Sequence, residues 1–314
     1  MTGPIVVTGA AGFAGGHLLE RLHGRAELVA WRHREGPPPP WAPPGVRWMA
    51  VDLLDREAVH RAVRDVRPSQ IYHCAGAPHV GDAWHDTRHP LATNVMGTHH
   101  VVDAVRRTGF MTRVLVVSSA TVYQSADRAL SEDDPLRPAN PYGLSKLAQE
   151  RVVVHGVSDD GLDLRLARPF NHAGPRQDPS FVTSSIARQI ARIEAGQAPP
   201  RIEVGNVSPR RDVTDVRDIV AAYEALMTRG RPGVPYNVCS GCAHAVEDLL
   251  RALVSRSRVA VDVVVDPARY RPSDTPLLLG DPGRIARETG WRPAIDLDRT
   301  LDDLLGDWRA RVRA

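Results

Sequence analysis

At 314 residues and 42% hydrophobic content, the chain is long enough for one large or two modest domains around a buried core. Its 40 Lys and Arg stand against 37 Asp and Glu, a net charge of only +3 without a basic block interleaved with aromatics, which excludes nucleic acid as a partner. No apolar run approaches membrane-spanning length, the N-terminus lacks a leader-like pattern and three cysteines cannot build a disulfide framework. A cytoplasmic protein with no membrane partner is expected, its Cys239 and Cys242 ordinary thiols rather than a zinc pair.

Residues 4–9 are a short β-branched run, followed by Gly9, Gly12 and Gly15 at GxxGxxG spacing and then an amphipathic helix. Strand, glycine turn and helix in that order bring a helix N-terminus to a pyrophosphate. Gly9 allows the turn, Gly12 lets the backbone approach the anion and Gly15 lets the helix pack on the strand. The second strand, 27–31, ends in Arg32-His33-Arg34, with no acid before Glu35. An acid there would hold a ribose 2′-hydroxyl, whereas two arginines suit a 2′-phosphate. NADP(H) is therefore expected over NAD(H); the bland alternative is that both arginines only solvate a loop.

The proline-rich stretch 37–44 reads as an exposed connection. Further strands are expected over 48–52 and 70–75, with Asp52 at one carboxyl end where an adenine edge could lie, and a helix over 54–66 between them. Asn94 is expected to open a helix to about residue 107, ahead of a strand over 113–118. Alternation at this interval specifies a doubly wound parallel α/β sheet with its site at the carboxyl edge of the strands. The last of these strands runs into Ser118-Ser119-Ala120-Thr121, hydroxyls placed to meet a substrate oxygen.

The stretch 141–150 organises the rest. Tyr142 and Lys146 are four apart, so on a helix they share one face. Lys146 is the only lysine in the chain, every other strong cation being arginine. A compact ammonium favours a neighbouring phenolate and can donate to a ribose hydroxyl, where a guanidinium is bulkier and held to fork geometry. The pair is expected to exchange protons near neutral pH, with the ammonium holding the phenol's pKa down.

Beyond it, helices are expected over 181–196, 246–255, 282–289 and 297–312, a strand-to-helix connection over 212–226, and strands over 235–238 and 261–265. A Rossmann half of 1–170 with about 210–240 and a smaller discontinuous half of 171–209 and 241–314 are expected. Histidines 79, 85, 89, 99 and 100 lack metal-ligand spacing, and no metal is expected.

Taken together, Thr8–Gly15, Asp52–Asp55, Tyr72–Gly76, Asn94–Thr98, Ser118–Tyr123 and Tyr142–Lys146 make the chain resemble the extended short-chain dehydrogenase/reductase superfamily. In the second half, Arg168–Pro175, Phe181–Thr183, Ile193–Gly196, Val204–Asn206, Arg210–Asp218, Tyr236–Gly241 and Arg271–Asp274 are similar to the GDP-4-keto-6-deoxy-D-mannose reductases, with some blocks shared by GDP-mannose 4,6-dehydratases. The resemblance implies an enzyme of nucleotide-linked sugars with Ser119, Tyr142 and Lys146 as its catalytic trio. It implies cofactor contacts at Gly9, Gly12, Phe13, Ala14, Gly15, Arg32, Arg34, Asp52, Leu53, Cys74, Ala75, Gly76, Asn94, Val117 and Arg168, besides Tyr142 and Lys146. Substrate contacts would come from His79, Ser119, Thr121, Asn171, Val182, Arg211, Arg271 and Asp274, with Asn171, Arg211 and Arg271 on the diphosphate. It also implies a homodimer through the helices that follow Asn94 and contain Tyr142.

One departure is informative. Dehydratases of this group carry a carboxylate two residues after the catalytic Ser or Thr, and here that position is Thr121, far too weakly basic to remove a carbon-bound proton. Ketone reduction and 4-epimerisation need no such base. The arginines after the second strand turn the expectation toward reduction of the C4 ketone of a GDP-linked 6-deoxy-hexulose, with an NAD-dependent 4-epimerase as the alternative. A nucleotide-sensing protein that has lost catalysis is a third class, opposed by the intact trio.

Overall fold

The computed structural model describes residues 3–77, 86–269 and 275–313. Its first half contains β1 (Ile5–Thr8), α1 (Phe13–Leu22), β2 (Leu28–Arg32), β3 (Arg47–Ala50), α2 (Arg56–Val66), β4 (Gln70–His73), a single turn α3 (Arg88–Pro90), a π-helical segment Leu91–Met96 leading into α4 (Gly97–Thr108), β5 (Arg113–Val117), α5 (Pro141–Ser158) and β6 (Leu164–Pro169). There follow β7 (Asn171–Ala173), α6 (Val182–Glu194), β8 (Arg201–Val204), β9 (Arg210–Asp215), α7 (Val216–Arg229), β10 (Pro235–Val238), β11 (Ala243–Ala245), α8 (Val246–Val254), β12 (Asp262–Val265), β13 (Leu277–Leu278), α9 (Gly283–Thr289) and α10 (Leu297–Arg313).

Seven strands pair in the order β10-β6-β5-β4-β1-β2-β3, every neighbour parallel. Parallel strands covered on both faces read as largely apolar runs, and β1 and β6 are buried at every position, the two arginines of β6 included. Leu18 and Leu19 of α1 pack with Ile219 and Tyr223 of α7 on one face; Val59 and Val63 of α2, Val101 and Val105 of α4 and Val153 of α5 fill the other. The order reverses between β1 and β4, and that switch point opens a crevice at the carboxyl ends.

The remaining strands form two small sheets. β9 pairs with β11, β13 and β7, and β8 pairs with β12 beside a core of Ile186, Ile190, Leu250 and Leu304. The expected placement of 210–240 with the first half therefore divides: β10 joins the large sheet and β9 does not. Two local expectations also change. The helix expected to open at Asn94 begins earlier, so that Asn94 lies inside the π segment. The stretch 37–44 is not simply a loose connection, because Trp41 packs against the α1 side of the core with the Arg176 guanidinium 4.7 Å from its ring centre.

Candidate active site

A continuous cleft of about 1280 Å³ runs along the carboxyl edge of the large sheet. That exceeds the roughly 300–1,000 Å³ typical of one small ligand, so the cleft has room for two. One end is the glycine turn. Gly9 has φ 63°, and a Cβ on Gly15 would lie 2.3 Å from the Gly9 carbonyl oxygen, so the turn can be this tight only with glycine at both places. Gly12 caps α1 with no side-chain cap and no acid in the first turn. The helix N–H groups are left for an anion, which fits the pyrophosphate of a dinucleotide.

Gly12, Phe13, Ala14, Gly15, Leu53, Asp52, Cys74, Ala75, Gly76 and Val117 all line this cleft. Arg32 does too, beside His33, which was not singled out in the sequence. The Arg32 guanidinium donates to the Pro37 carbonyl at 2.6 Å and stands 5.6 Å from the Trp48 ring centre, so the proline-rich strap holds it at the mouth of the cleft. Arg34 is exposed and does not reach the lining, since the strand ends at Arg32.

At the middle of the cleft α5 meets the segment after β5. Asn140 caps the helix by accepting from Gly143 N at 2.8 Å, and Pro141 fits its first turn. A Cβ on Gly143 would lie 2.4 Å from the Thr121 carbonyl oxygen. This close approach brings Tyr142 beside Ser119, whose hydroxyl favours the ionised phenol and opposes the effect of burial. Both the Thr121 hydroxyl (2.9 Å) and the Thr121 N–H (3.2 Å) donate to Ser119 Oγ, which leaves the single Ser119 proton for another acceptor. Gly143→Ala should therefore lower kcat about tenfold or more by pushing Tyr142 away, with cofactor affinity little changed; steady-state kinetics and a cofactor titration check this.

The expected lowering of the phenol by Lys146 is not found. Burial pushes Tyr142 up to about 12, and the ammonium, 5.9 Å from the ring centre, donates instead to Val117 O at 2.9 Å and Gln149 Oε1 at 3.0 Å. Burial in turn pulls Lys146 down to about 8, opposed by Cys74 and Glu150. The phenol is thus a proton donor across the neutral range, the state a reduction needs.

Several expected contacts lie elsewhere. Arg168 is 3% exposed and makes a two-armed ion pair with Glu150 (2.8 and 2.7 Å) behind the trio, while the next residue along β6, Pro169, lines the cleft. Asn94 is fully buried, accepting from Ala77 N and donating to Ser145, so it shapes the cleft without lining it. Val182 is off the cleft, its neighbour Phe181 lining instead. Thr121, Asn171 and Arg211 do line it. His79, Arg271 and Asp274 lie outside the described residues.

Sequence reasoning missed His172, which stacks on Phe13 at 5.7 Å, and the cleft-lining Arg176 and Arg311. Arg176 has φ 70°, pairs with Glu20 and donates its N–H to Asp307, tying the loop after β7 to α1 and α10. Among the described residues no group of three His, Cys, Asp or Glu side chains converges to hold a metal ion.

The profile of the GDP-mannose 4,6-dehydratase family matches residues 6–304. The chain is 37% identical to GDP-6-deoxy-D-mannose reductase of Pseudomonas aeruginosa, covering 100% of this chain and 99% of that protein. It is 27% identical to UDP-glucose 4-epimerase of Bacillus subtilis, with 97% and 96% covered. The solved structure of RMD from Pseudomonas aeruginosa complexed with NADPH superposes with TM-score 0.86 at 33% identity, covering 99% of this chain and 100% of that one.

Proposed function

The chain belongs to the GDP-mannose 4,6-dehydratase family, and from that premise we propose that it reduces the C4 ketone of a nucleotide-linked 6-deoxy-hexulose, GDP-4-keto-6-deoxy-D-mannose in the first instance, at the expense of NADPH. The observation that carries this reading within the family is the segment 118–125 beside Tyr142 on the cleft, which holds hydroxyls and no carboxylate, Thr121 standing where a dehydratase has its base.

NADPH supplies the hydride when bound. Tyr142 gives its proton to the developing C4 alkoxide, Ser119 hydrogen-bonds the same oxygen, and Lys146 turns an N–H to the nicotinamide ribose. The carbonyl gains one hydride and one proton and leaves as a secondary alcohol. Asn171 and Arg211 are assigned to the diphosphate, a reading supported by their place on the cleft wall and by the fork of the guanidinium. In this reading 1–170 with α7 and β10 hold the dinucleotide, and 171–209, β9 and 241–314 hold the sugar nucleotide. NADPH deuterated at its transferable position should leave deuterium at C4 of the sugar, read by NMR; deuterium absent from the sugar, or sugar epimerised without net cofactor oxidation, contradicts the reading.

Arg32 is assigned to the 2′-phosphate of NADP(H), with NAD(H) the alternative. Arg32→Ala should raise the Kd for NADPH about ten- to a hundredfold, a lost charge-assisted hydrogen bond, and leave NADH binding nearly unchanged. A preference for NADH in the wild type that survives the change sinks the assignment and favours the epimerase reading.

A homodimer is proposed through the π segment and α5, where Leu91, Met96, Leu144 and Val154 are exposed apolar side chains. Sedimentation giving a monomer at micromolar concentration counts against it. Among the described residues no helix is long and apolar enough to cross a membrane, and a cytoplasmic site of action is proposed with the substrate class.

A further inference from the structure

Behind Lys146 runs a buried hydrogen-bond chain whose direction is fixed by chemistry. Thr98 Oγ1 has one proton, and the Asn94 carbonyl at 2.7 Å can only accept it. Its other two partners, Gln149 Nε2 at 2.6 Å and His73 Nε2 at 2.9 Å, must then both donate. His73 therefore carries its proton on Nε2. Burial pulls that imidazole down to about 3, so it is neutral and its Nδ1 accepts from the Thr8 hydroxyl at 2.8 Å, which in turn accepts from Ala75 N at 3.2 Å. The Gln149 amide cannot flip, because its NH₂ would face the ammonium and its oxygen would face a hydroxyl whose proton is already given away. Thr8, His73, Thr98 and Gln149 are all fully buried, so water does not compete.

We propose that Gln149, held in one orientation by Thr98, His73 and Thr8, is a positioning residue for Lys146. Its carbonyl oxygen and that of Val117 take two of the three ammonium N–H groups and leave one for the cleft. The chain also joins the glycine turn, through Ala75 and Thr8, to the helix that carries Tyr142 and Lys146. It rests on the proposed role of Lys146, since a lysine without a task in the cleft has no need of aiming.

Both acceptors of Lys146 are carbonyl oxygens, which stabilise the ammonium and not the neutral amine. Four titratable groups face it. Cys74 at the end of β4 has its thiol pushed up to about 12 by burial, and Tyr142, one turn back along α5, is likewise pushed up to about 12. His73 is neutral, and Glu150, one turn on along α5, is ion-paired with Arg168. Cys74 and Tyr142 are pushed above the lysine and His73 is pulled below it, so the Lys146 midpoint reports its own hydrogen bonds.

Because Lys146 is the only lysine, protein grown on lysine labelled with ¹³C at Cε gives one lysine resonance, and its midpoint can be read directly in the ligand-free protein. The wild type should titrate near 8. Gln149→Met should lower the midpoint by about one unit and Gln149→Glu should raise it by about one unit, the loss of a charge-assisted bond and the gain of a charge. Thr98→Val, which touches neither Lys146 nor the cleft, should shift it in the same direction as Gln149→Met but by less, because the amide then loses the acceptor that holds its NH₂ and is less firmly aimed. Equal midpoints in wild type, Gln149→Glu and Thr98→Val overturn the proposal. The titration uses no substrate, so its failure is separate from failure of the reductase reading, which turnover reports.

Discussion

Tyr142→Phe should lower kcat by about a thousandfold, with a Kd for NADPH within about twofold of wild type. General acid catalysis contributes roughly 10²–10⁴ in rate, and the expected loss is the middle of that range because the phenol is the proton donor in this reading. Ser119 cannot take over, since an aliphatic hydroxyl that hydrogen-bonds the reacting oxygen is far too weak an acid to replace the phenol. The phenol pushed up to about 12 gives the pH dependence its sign. Below that value the donor is present, so the phenol does not limit reduction in the neutral range, and the fall in rate with rising pH should come first from Lys146, whose charge is lost above about 8. Single-turnover rates across pH 6 to 10 check both statements. Turnover in Tyr142→Phe equal to wild type would remove the phenol from the mechanism.

The second large effect is on stability. Arg168→Met should destabilise the protein by about 3–5 kcal/mol, because it leaves the Glu150 carboxylate charged and buried without its partner. Replacing both, Arg168→Met with Glu150→Leu, should recover part of that loss, since a buried ion pair and a well-packed apolar pair are often close in free energy. Denaturant melts of the single and double variants measure it. The same proteins separate this role from the cofactor contact expected from the sequence: a single variant of wild-type stability with weakened NADPH binding would restore that expectation.

The two results show where reading the chain succeeded and where it stopped. The parallel sheet was legible because strands covered on both faces leave short apolar runs, and the glycine turn because its spacing is a steric requirement. Tyr142, Lys146 and Ser119 were found together since helical spacing and a strand end constrain where they lie. Spacing along a helix does not say which way an ammonium points, however, and Lys146 turns inward to Val117 and Gln149 while burial sets the phenol. Arg168 fails for a related reason. Successive strand residues face opposite ways, so a motif that puts Pro169 on the cleft puts Arg168 behind it. A signal for its partner was present, for Glu150 follows Lys146 by four on the same helix face. No comparable signal marks Arg176, whose contact with Asp307 joins segments 131 residues apart, or the destination of β9, whose partners β7, β11 and β13 come from three separate segments.

The cofactor mouth repeats the lesson in a gentler form. Arg32 and Arg34 were equivalent in the sequence, and only the strand end and the Pro37 carbonyl distinguish them, holding one guanidinium at the cleft. The proline-rich stretch that seemed a mere connection from its composition thus takes part in positioning a binding group.

The central claim is tested most directly by following nicotinamide absorbance with NADPH and GDP-4-keto-6-deoxy-D-mannose, with UDP-galactose supplied separately and assayed for UDP-glucose. Stoichiometric NADPH oxidation with formation of a GDP-6-deoxyhexose is the predicted result. Unchanged NADPH together with interconversion of the UDP-sugars would contradict the account and make the protein an epimerase.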